Sequence, residues 1–598
     1  MKRTSTIHAF FETAAAHADR AALKRRSPDG RWSALDWTAY ARKVRSVARS
    51  FIALGVKRGD RVALCGPNRP EWLFTALGAL AAAAVPTPYY PTLTAEQAAY
   101  VVEHSEAVFA VVHDAVQLRK LEAMRGRLPR LRACVVMDGS AAGALSWADF
   151  LARGGEVPDS AVQARLQTVD GSDLATLIYT SGTTGPPKAA MVSHGNLLFS
   201  AQTGRRLMEL GPDDELISYL PLSHIAEQMA SLHGPAVNGY CVACCEQIER
   251  LPEALREIRP TIFLGVPRVW EKIEARVEER VAQAPPLRQK LFRLAQRTAL
   301  ARSRGERAAL ARILDALVGR KIRAALGFDR ARMVGTTAAP IARSTLEFFE
   351  SLGLPLYELY GQTECTGAAT SNTQSRRKMF SVGVPWPDTE VRIDVDGEVL
   401  VRGPHVFMGY FKDPEATAAT LTPDGWLRTG DVGRLDDGGF LHITDRKKDL
   451  LITSGGKNVS PQNIEGQLAR IPGVAHAVVV GDARKHLAAL IALDRDTALR
   501  EARACGAQGG TVEALCFDPR FIEHIGRQVD EVNRGLASYE TIKTFRLLPV
   551  EFGIESGELT PTLKLRRKAV NQRFAREIEE LFAQPPPVCG GAELQSAD

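Results

Sequence analysis

Ten consecutive residues, Tyr179-Thr180-Ser181-Gly182-Thr183-Thr184-Gly185-Pro186-Pro187-Lys188, place four serine or threonine hydroxyls, two glycines and a lysine directly after the apolar run 174–178. Glycine lets backbone approach a ligand closely, and clustered N–H and O–H donors match phosphate oxygens, so this loop suits a polyphosphate. The alternative is a flexible surface turn, which seldom unites three threonines, two glycines and a terminal lysine behind a buried strand. The spacing G-x-x-x-x-G-K-[ST] of a Walker A loop is absent. Pro186-Pro187 also keeps a helix from starting at Gly185, so the phosphates would lack a helix N-terminus behind them.

The elements that must carry such a loop alternate. Short apolar runs at 131–138, 174–182, 215–224, 261–267 and 354–361 stand between helical stretches, which argues for α/β layers with largely parallel sheet. The pattern changes near residue 388. Val391, Ile393 and Val395 alternate up to Asp396-Gly397, and Val399 and Val401 follow, which predicts a hairpin in a small antiparallel, barrel-like β unit over about 388–444. The expected organisation is a large N-terminal domain to 444, a charged hinge at 445–449, a small mobile α+β domain over 450–583 and a disordered Pro/Gly-rich tail, 584–598.

Composition excludes several classes. With 598 residues, 45% hydrophobic and 24% charged, the chain is neither disordered nor fibrous. Nine cysteines, an odd and low count, suit a reducing compartment rather than a disulfide framework. The start of the chain carries no signal-peptide pattern, and the most apolar run, 73–85, falls short of a membrane span and reads as a buried helix. The net charge of +7 is uneven: 268–332 holds 17 Lys/Arg against 7 Asp/Glu, a net of +10, which leaves −3 for the rest. This stretch reads as amphipathic helices. Its charge is either a solvated face or a surface for anionic phospholipid; no nucleic-acid module accompanies it, so nucleic acid is not expected as a partner.

The loop "YTSGTTGPPK" resembles the phosphate loop of the adenylate-forming enzymes: acyl-CoA synthetases, firefly luciferase and peptide-synthetase adenylation domains. "LPLSH" (220–224), "LYGQTE" (359–364), "GWLRTGD" (425–431), "DRKKDLLITSGGKNVSP" (445–461) and "GELTPTLKLRRK" (557–568) follow in the family's order, over roughly residues 10 to 580. "YGQTECTG" and "TPTLKLRR" resemble the long-chain fatty acyl-CoA synthetase branch. The resemblance implies two half-reactions. A fatty acid carboxylate attacks the α-phosphorus of ATP, giving acyl-adenylate and pyrophosphate; the thiol of coenzyme A then takes the acyl group and releases AMP.

Joining an anion to a polyanion needs cations and aligned donors more than an acid or base. Glu364 is the expected Mg²⁺ ligand, with the Thr184 hydroxyl beside it, since magnesium takes one or two carboxylates plus phosphate oxygens. Thr180, Ser181, Gly182, Thr183, Thr184, Gly185 and Lys188 would hold the phosphates. Tyr360, with Gly361 and Thr363, is placed to stack on adenine, or is ordinary core. Asp431 suits both ribose hydroxyls, and Arg446 would add a ribose or phosphate contact or remain solvated. By resemblance, Lys564 reaches the α-phosphate and carboxylate during adenylation. Lys448 is the hinge, and Gly455, Gly456 and Lys457 face the site when the thioester forms. His224 is expected beside the acyl tunnel as an orienting group, because a carboxylate has no proton to lose at neutral pH. Tunnel walls are expected within 224–270, with Trp270 as wall or core.

Ala189 and Thr337 replace glycines common in the family, and Cys241, Cys244 and Cys245 are expected as buried strand cysteines. Two other readings stay open: a ligase passing acyl-adenylate to a carrier protein, and a non-catalytic lipid-binding protein on the same fold. The expected location is cytoplasmic, free or peripheral on a membrane's inner face.

Overall fold

The computed structural model describes residues 4–27, 29–180, 186–306, 310–455, 457–554, 556–560 and 565–583. They form two compact units. One comprises Met1–Ala339, Arg343–Thr429 and Gly433–Ile443, and the other Pro340–Ala342, Gly430–Val432 and Thr444–Asp598.

The first unit is layered α/β. A parallel sheet orders Val85–Pro88, Arg61–Cys65, Phe109–Val112, Ala133–Val136 and Leu145–Ser146. The strands at 85–88 and 109–112 are buried throughout, as expected of strands covered on both faces. A second sheet sets Glu215–Ser218, Cys241–Cys244 and Ala21–Arg26 parallel, with Trp32–Asp36 antiparallel at its edge. A third sets Ile262–Gly265, Met333–Thr336 and Leu356–Tyr360 parallel, followed by the short antiparallel pieces Thr370–Ser371 and Val384–Pro385.

The apolar run at 73–85 contributes to the buried helix Pro70–Ala81, as its length suggested, and then turns through Ala83 into a strand. Gly78 sets how closely that helix lies on Trp37–Ala53: a Cβ there would stand 2.4 Å from Val47 Cγ1. Replacing Gly78 with alanine would therefore push the two helices apart.

Two sequence expectations need correction. The strand at 174–180 does not join a parallel sheet; Leu174–Thr180 pairs antiparallel with Lys188–Ser193, so the two strands that flank the expected phosphate loop form a hairpin pair. In the small β unit the pairing is Val391↔Val401 and Ile393↔Val399, but Val395 is not a strand residue. The strand stops at Ile393, Gly397 N–H donates to Asp394 O at 2.9 Å, and Val395 is fully exposed on the turn. Gly397 takes φ +84°, which glycine allows without strain. The sheet runs Glu390–Ile393, Glu398–Arg402, Leu427–Leu435, Leu441–Arg446.

The second unit is α+β. Val474–Val480 pairs antiparallel with Leu487–Leu493, which pairs parallel with Ile542–Leu548. All seven residues of Leu487–Leu493 are buried, because helices cover both faces. Leu487, Ala489 and Ile491 pack with Phe521 and Ile525 on one side, while Ala488 and Leu490 pack with Val570 and Phe574 on the other. Among the described residues no helix is long and apolar enough to cross a membrane.

Candidate active site

In the first unit the chemistry-bearing residues converge on the foot of the hairpin. Thr180 and Lys188 are the last paired residues, with the Thr180 hydroxyl donating to Lys188 O at 3.4 Å. Ser181, Gly182, Thr183, Thr184 and Gly185 lie outside the described residues. Tyr100 donates its hydroxyl to Pro187 O at 3.2 Å and so braces the turn's outgoing arm. Ala189 is buried, and its carbonyl accepts from Phe411 N–H at 2.8 Å. Met191 exchanges backbone hydrogen bonds with Met408 and Gly409, which lays the segment 408–411 along the strand.

That segment brings Tyr410, which the sequence did not single out, between the two key charges. The Lys188 ammonium lies 5.1 Å from the Tyr410 ring centroid, a cation–π arrangement. The Tyr410 hydroxyl donates to Glu364 Oε1 at 2.6 Å, and burial with the adjacent Glu364 charge raises the phenol far above its ordinary pKa. Glu364 is 8% exposed, on the 3₁₀ turn Thr363–Cys365 directly after Leu356–Tyr360. Gly361 makes the tight return possible: a Cβ there would meet Gly367 O at 2.1 Å. Thr363 is buried, and Tyr360 is half-buried against a cluster that includes Ala190, Cys365 and Tyr410. Cys365 accepts the Gln362 N–H at its sulfur, which suits a structural thiol rather than a nucleophile.

A buried carboxylate held by a single tyrosine, beside a lysine at a phosphate-type turn, fits a magnesium ion that draws its remaining ligands from nucleotide phosphate and water. Among the described residues no group of three or more His, Cys, Asp or Glu could hold a metal by itself. Cys241 and Cys245 are buried thiols pushed up to about 12 and about 11 by burial.

Beside this lies an apolar cavity of about 140 Å³, roughly ten times what one water requires. Its walls include Ala226, Met229, Ala230, Tyr240 and Ile262–Leu264 from the expected stretch. They also include Ser200–Leu216 residues before it and Met333, Gly335, Thr337, Leu359, Ala368 and Trp386 beyond it, so the range 224–270 was too narrow. Trp270 is core: it is fully buried among Phe263, Phe328 and Phe349. The Thr337 hydroxyl donates to Leu359 O at 3.0 Å, which satisfies the departure at that position.

One wall is a π-helical turn, Met229–His233. The wider i→i+5 pitch leaves backbone acceptors over, and the Tyr240 hydroxyl donates to Ala230 O at 2.6 Å. His224 caps the preceding helix, its Nδ1 accepting from Ala226 N–H at 3.2 Å, which assigns the proton to Nε2. It is half-buried, one turn from the cavity-lining Ala226, Met229 and Ala230.

Glu227 holds this wall. Its Oε1 accepts from the Ser218 and Ser231 hydroxyls at 2.6 Å each and from Asn68 Nδ2 at 3.4 Å, tying a strand end, the π turn and the 66–69 loop together. Burial outweighs these donors and pushes the carboxyl up from 4.5 to about 8. A carboxyl that binds its proton more tightly when folded stabilises fully below the unfolded value, and that contribution is lost as pH rises from about 4.5 through 8. Glu227→Gln keeps the shape without the titration. It is expected to flatten the fall in stability between about pH 5 and 8, by up to ~1.4 kcal/mol per pH unit. Denaturant midpoints of the two proteins across that range test this; parallel pH slopes would count against a raised carboxyl.

The second unit carries the remaining described residues. Arg446 Nε lies 3.0 Å from Asp431 Oδ1, and Asp431 is buried. The structure thus joins two residues for which separate nucleotide contacts were expected. Lys447 N–H donates to Gly430 O, and Lys448 is exposed on the following turn. Gly455 and Lys457 are exposed on the turn between Leu451–Ile452 and Asn458–Val459, held by Lys457 N–H to Thr453 Oγ1 at 3.2 Å. Gly456 and Lys564 lie outside the described residues.

Comparison with known proteins agrees with this arrangement. Residues 10–411 match the family model for the AMP-binding enzyme, and 448–585 match that for the AMP-binding enzyme C-terminal domain. The long-chain-fatty-acid–CoA ligase FadD15 of Mycobacterium bovis is 37% identical over 572 residues, 93% of each chain. The long-chain-fatty-acid–CoA ligase ACSBG2 of Gallus gallus is 35% identical over 97% of this chain and 81% of its own. Among solved structures, the adenylation domain of a Mycobacterium chelonae carboxylate reductase superposes with a TM-score of 0.78 at 22% identity, covering 98% of this chain and 92% of its own, a likeness of fold. Family-model matches that together span most of the sequence, with relatives at 37% and 35% identity over nearly the whole chain, place the chain in the AMP-binding enzyme family.

Proposed function

We propose that this protein is a long-chain fatty acid–CoA ligase that forms AMP. The observation that carries the reading is the chain Lys188–Tyr410–Glu364 at the end of the Leu174–Thr180/Lys188–Ser193 pair, beside a cavity with mostly apolar walls. The turn and Lys188 would hold the triphosphate. Glu364, with Thr184, would hold the magnesium ion, whose charge draws electron density from the phosphate oxygens. Asp431 and Arg446 would meet the ribose, and Tyr360, Gly361 and Thr363 would border the adenine. The cavity would take the acyl chain, with His224 orienting the carboxylate through Nε2. The carboxylate oxygen bonds to the α-phosphorus and pyrophosphate leaves. Lys564 neutralises the charge that builds there. Rotation at Lys448 then exchanges it for the Gly455–Lys457 turn, and the thiolate of coenzyme A attacks the acyl carbon and expels AMP.

We place the protein in the cytoplasm, where its eight described cysteines, all free, suit a reducing milieu, and against an anionic membrane through 268–332. A panel of carboxylic acids from short to very long, aromatic ones included, tests the substrate assignment through CoA-dependent AMP release. Saturated acids of about 14 to 18 carbons are expected to turn over at least tenfold better than acids of about six carbons, since each buried methylene contributes about 0.8 kcal/mol. Turnover restricted to aromatic or very short acids contradicts the long-chain assignment. Acyl-adenylate that forms but is not consumed by coenzyme A would point instead to a carrier-protein acceptor.

A further inference from the structure

The apolar cavity carries two polar side chains that the protein itself does not satisfy. Six residues with a hydroxyl, amide or indole N–H line it. Four of these groups are engaged: Tyr240 donates to Ala230 O, Thr337 to Leu359 O, Thr366 to His405 O at 2.7 Å and Trp386 Nε1 to Ser371 Oγ at 2.9 Å. The other two belong to Ser200 and Asn238. The Ser200 hydroxyl and both polar atoms of the Asn238 amide have no hydrogen-bond partner among the described residues, although each residue is only 3% exposed. Buried donors and acceptors are nearly always paired and an unpaired one destabilises the fold, so a lone pair of exceptions in a cavity wall points to a ligand that completes them.

The fold fixes where along the cavity they stand. Ser200 comes from helix His194–Met208 and Asn238 from the stretch Ile225–Asn238, and the two pack on each other. One turn beyond Ser200, Gly204 leaves open space, because a Cβ there would meet nothing within 4 Å. Ala226, Met229, Ala230, Gly234 and Asn238 all line the cavity, and the twelve residues from the first to the last span about 18 Å at 1.5 Å per residue. His224, the group beside the carboxylate, caps the start of this stretch, and Asn238 closes it. Strand direction agrees. Glu215–Ser218 and Cys241–Cys244 are parallel; the first leads from its C-terminal end to His224, whereas Asn238 stands just before the start of the second. Asn238 therefore marks the end of the cavity farthest from the reacting carboxylate.

An alcohol matches the unpaired atoms. It donates to Asn238 Oδ1 and accepts from Asn238 Nδ2 or from the Ser200 hydroxyl. A ketone only accepts and leaves Oδ1 unpaired, and a methyl end leaves all three atoms unpaired. A second carboxylate would bury a charge among lining residues that include no lysine or arginine.

We propose that Asn238 and Ser200 select acyl chains that carry a hydroxyl group at or near the end remote from the carboxylate, so that the favoured substrate is a terminally hydroxylated long-chain acid. Which end of the cavity holds the carboxylate rests on the ligase reading. The affinity of the polar pair for a chain hydroxyl does not.

Calorimetry with the full chain tests this with three long-chain acids of equal length: one unsubstituted, one hydroxylated beside the carboxyl group and one hydroxylated on the last carbon. The terminal hydroxy acid is expected to bind at least about tenfold more tightly than either of the others, because a site built to pair a hydroxyl rejects the analogue that lacks it. The kcat/KM values for CoA-dependent AMP release should fall in the same order. Ser200→Ala and Asn238→Leu remove polar atoms that lack a partner, so both are expected to fold with an unchanged or higher Tm. Each should cut the preference for the terminal hydroxy acid by about tenfold. Ser200→Ala, which deletes a single oxygen, keeps the test available where Asn238→Leu does not fold. Equal affinity for the three acids, a preference for the hydroxyl beside the carboxyl group, or a terminal preference unchanged in both variants would each overturn the proposal, and would leave the ligase reading standing wherever the unsubstituted acid still releases AMP. A terminal preference in binding that the variants remove, with no AMP released from any acid, would support the polar pair and sink the ligase reading.

Discussion

Replacing Lys564 with alanine is expected to abolish measurable acyl-adenylate formation, lowering its rate by about two to three orders of magnitude. Thioester formation from supplied acyl-adenylate should remain within a few-fold of wild type. The size follows from the proposed role: a group that stabilises developing charge away from bulk water would act mainly on the transition state. The selectivity follows from the lysine's nature: a compact ammonium on a flexible stem can enter for one step and withdraw for the next. Single-turnover assays that start from fatty acid plus ATP, or from preformed adenylate plus coenzyme A, separate the steps. Equal loss in both would contradict the division of labour between position 564 and the turn at Gly455 and Lys457.

The second large effect is expected at Glu364. Glu364→Gln keeps the side-chain volume and the hydrogen bond from Tyr410, at 2.6 Å in the wild type, but removes the charge. It should lower kcat/KM for magnesium-ATP by about a hundredfold or more, because the proposed magnesium site would lose its buried carboxylate. Tyr410→Phe leaves the carboxylate charged and only loosens its orientation, so a smaller loss of about tenfold is expected, within the range for partners that aim a metal ligand. Raising the magnesium concentration should restore part of the Tyr410→Phe rate and little of the Glu364→Gln rate. Equal effects of the two substitutions would argue that Tyr410 contacts the nucleotide itself, or that Glu364 is structural.

Much of this was legible in the sequence because the loops that carry chemistry keep their order and residue types whatever lies between them. The hairpin around Gly397 was readable from local spacing, while attention to the turn after Thr180 and to Glu364 came from the resemblance carried by motifs in order. What escaped depends on long-range packing. A run such as 174–180 shows that a strand exists but not whether its partner is parallel, and Lys188–Ser193, with two alanines and a lysine, announces itself poorly as that partner. Tyr410 stands 46 residues from Glu364, and only the lie of 408–411 along Ala189–Met191 joins them. The apolar cavity was only partly legible for the same reason: its walls come from separate stretches between 200 and 386, and no motif encodes where they meet. Glu227 was visible as a residue, but its raised carboxyl depends on burial beneath Asn68, Ser218 and Ser231.

Isotope transfer reaches the central chemistry most directly. A fatty acid labelled with ¹⁸O in both carboxylate oxygens is turned over with ATP and coenzyme A, and the AMP is weighed by mass spectrometry. Attack of the carboxylate on the α-phosphorus, followed by thiolate cleavage of the acyl–oxygen bond, leaves one ¹⁸O in each AMP formed and none in pyrophosphate. Label found in phosphate or pyrophosphate, or AMP that carries none, would show that the carboxylate does not meet the α-phosphorus at all.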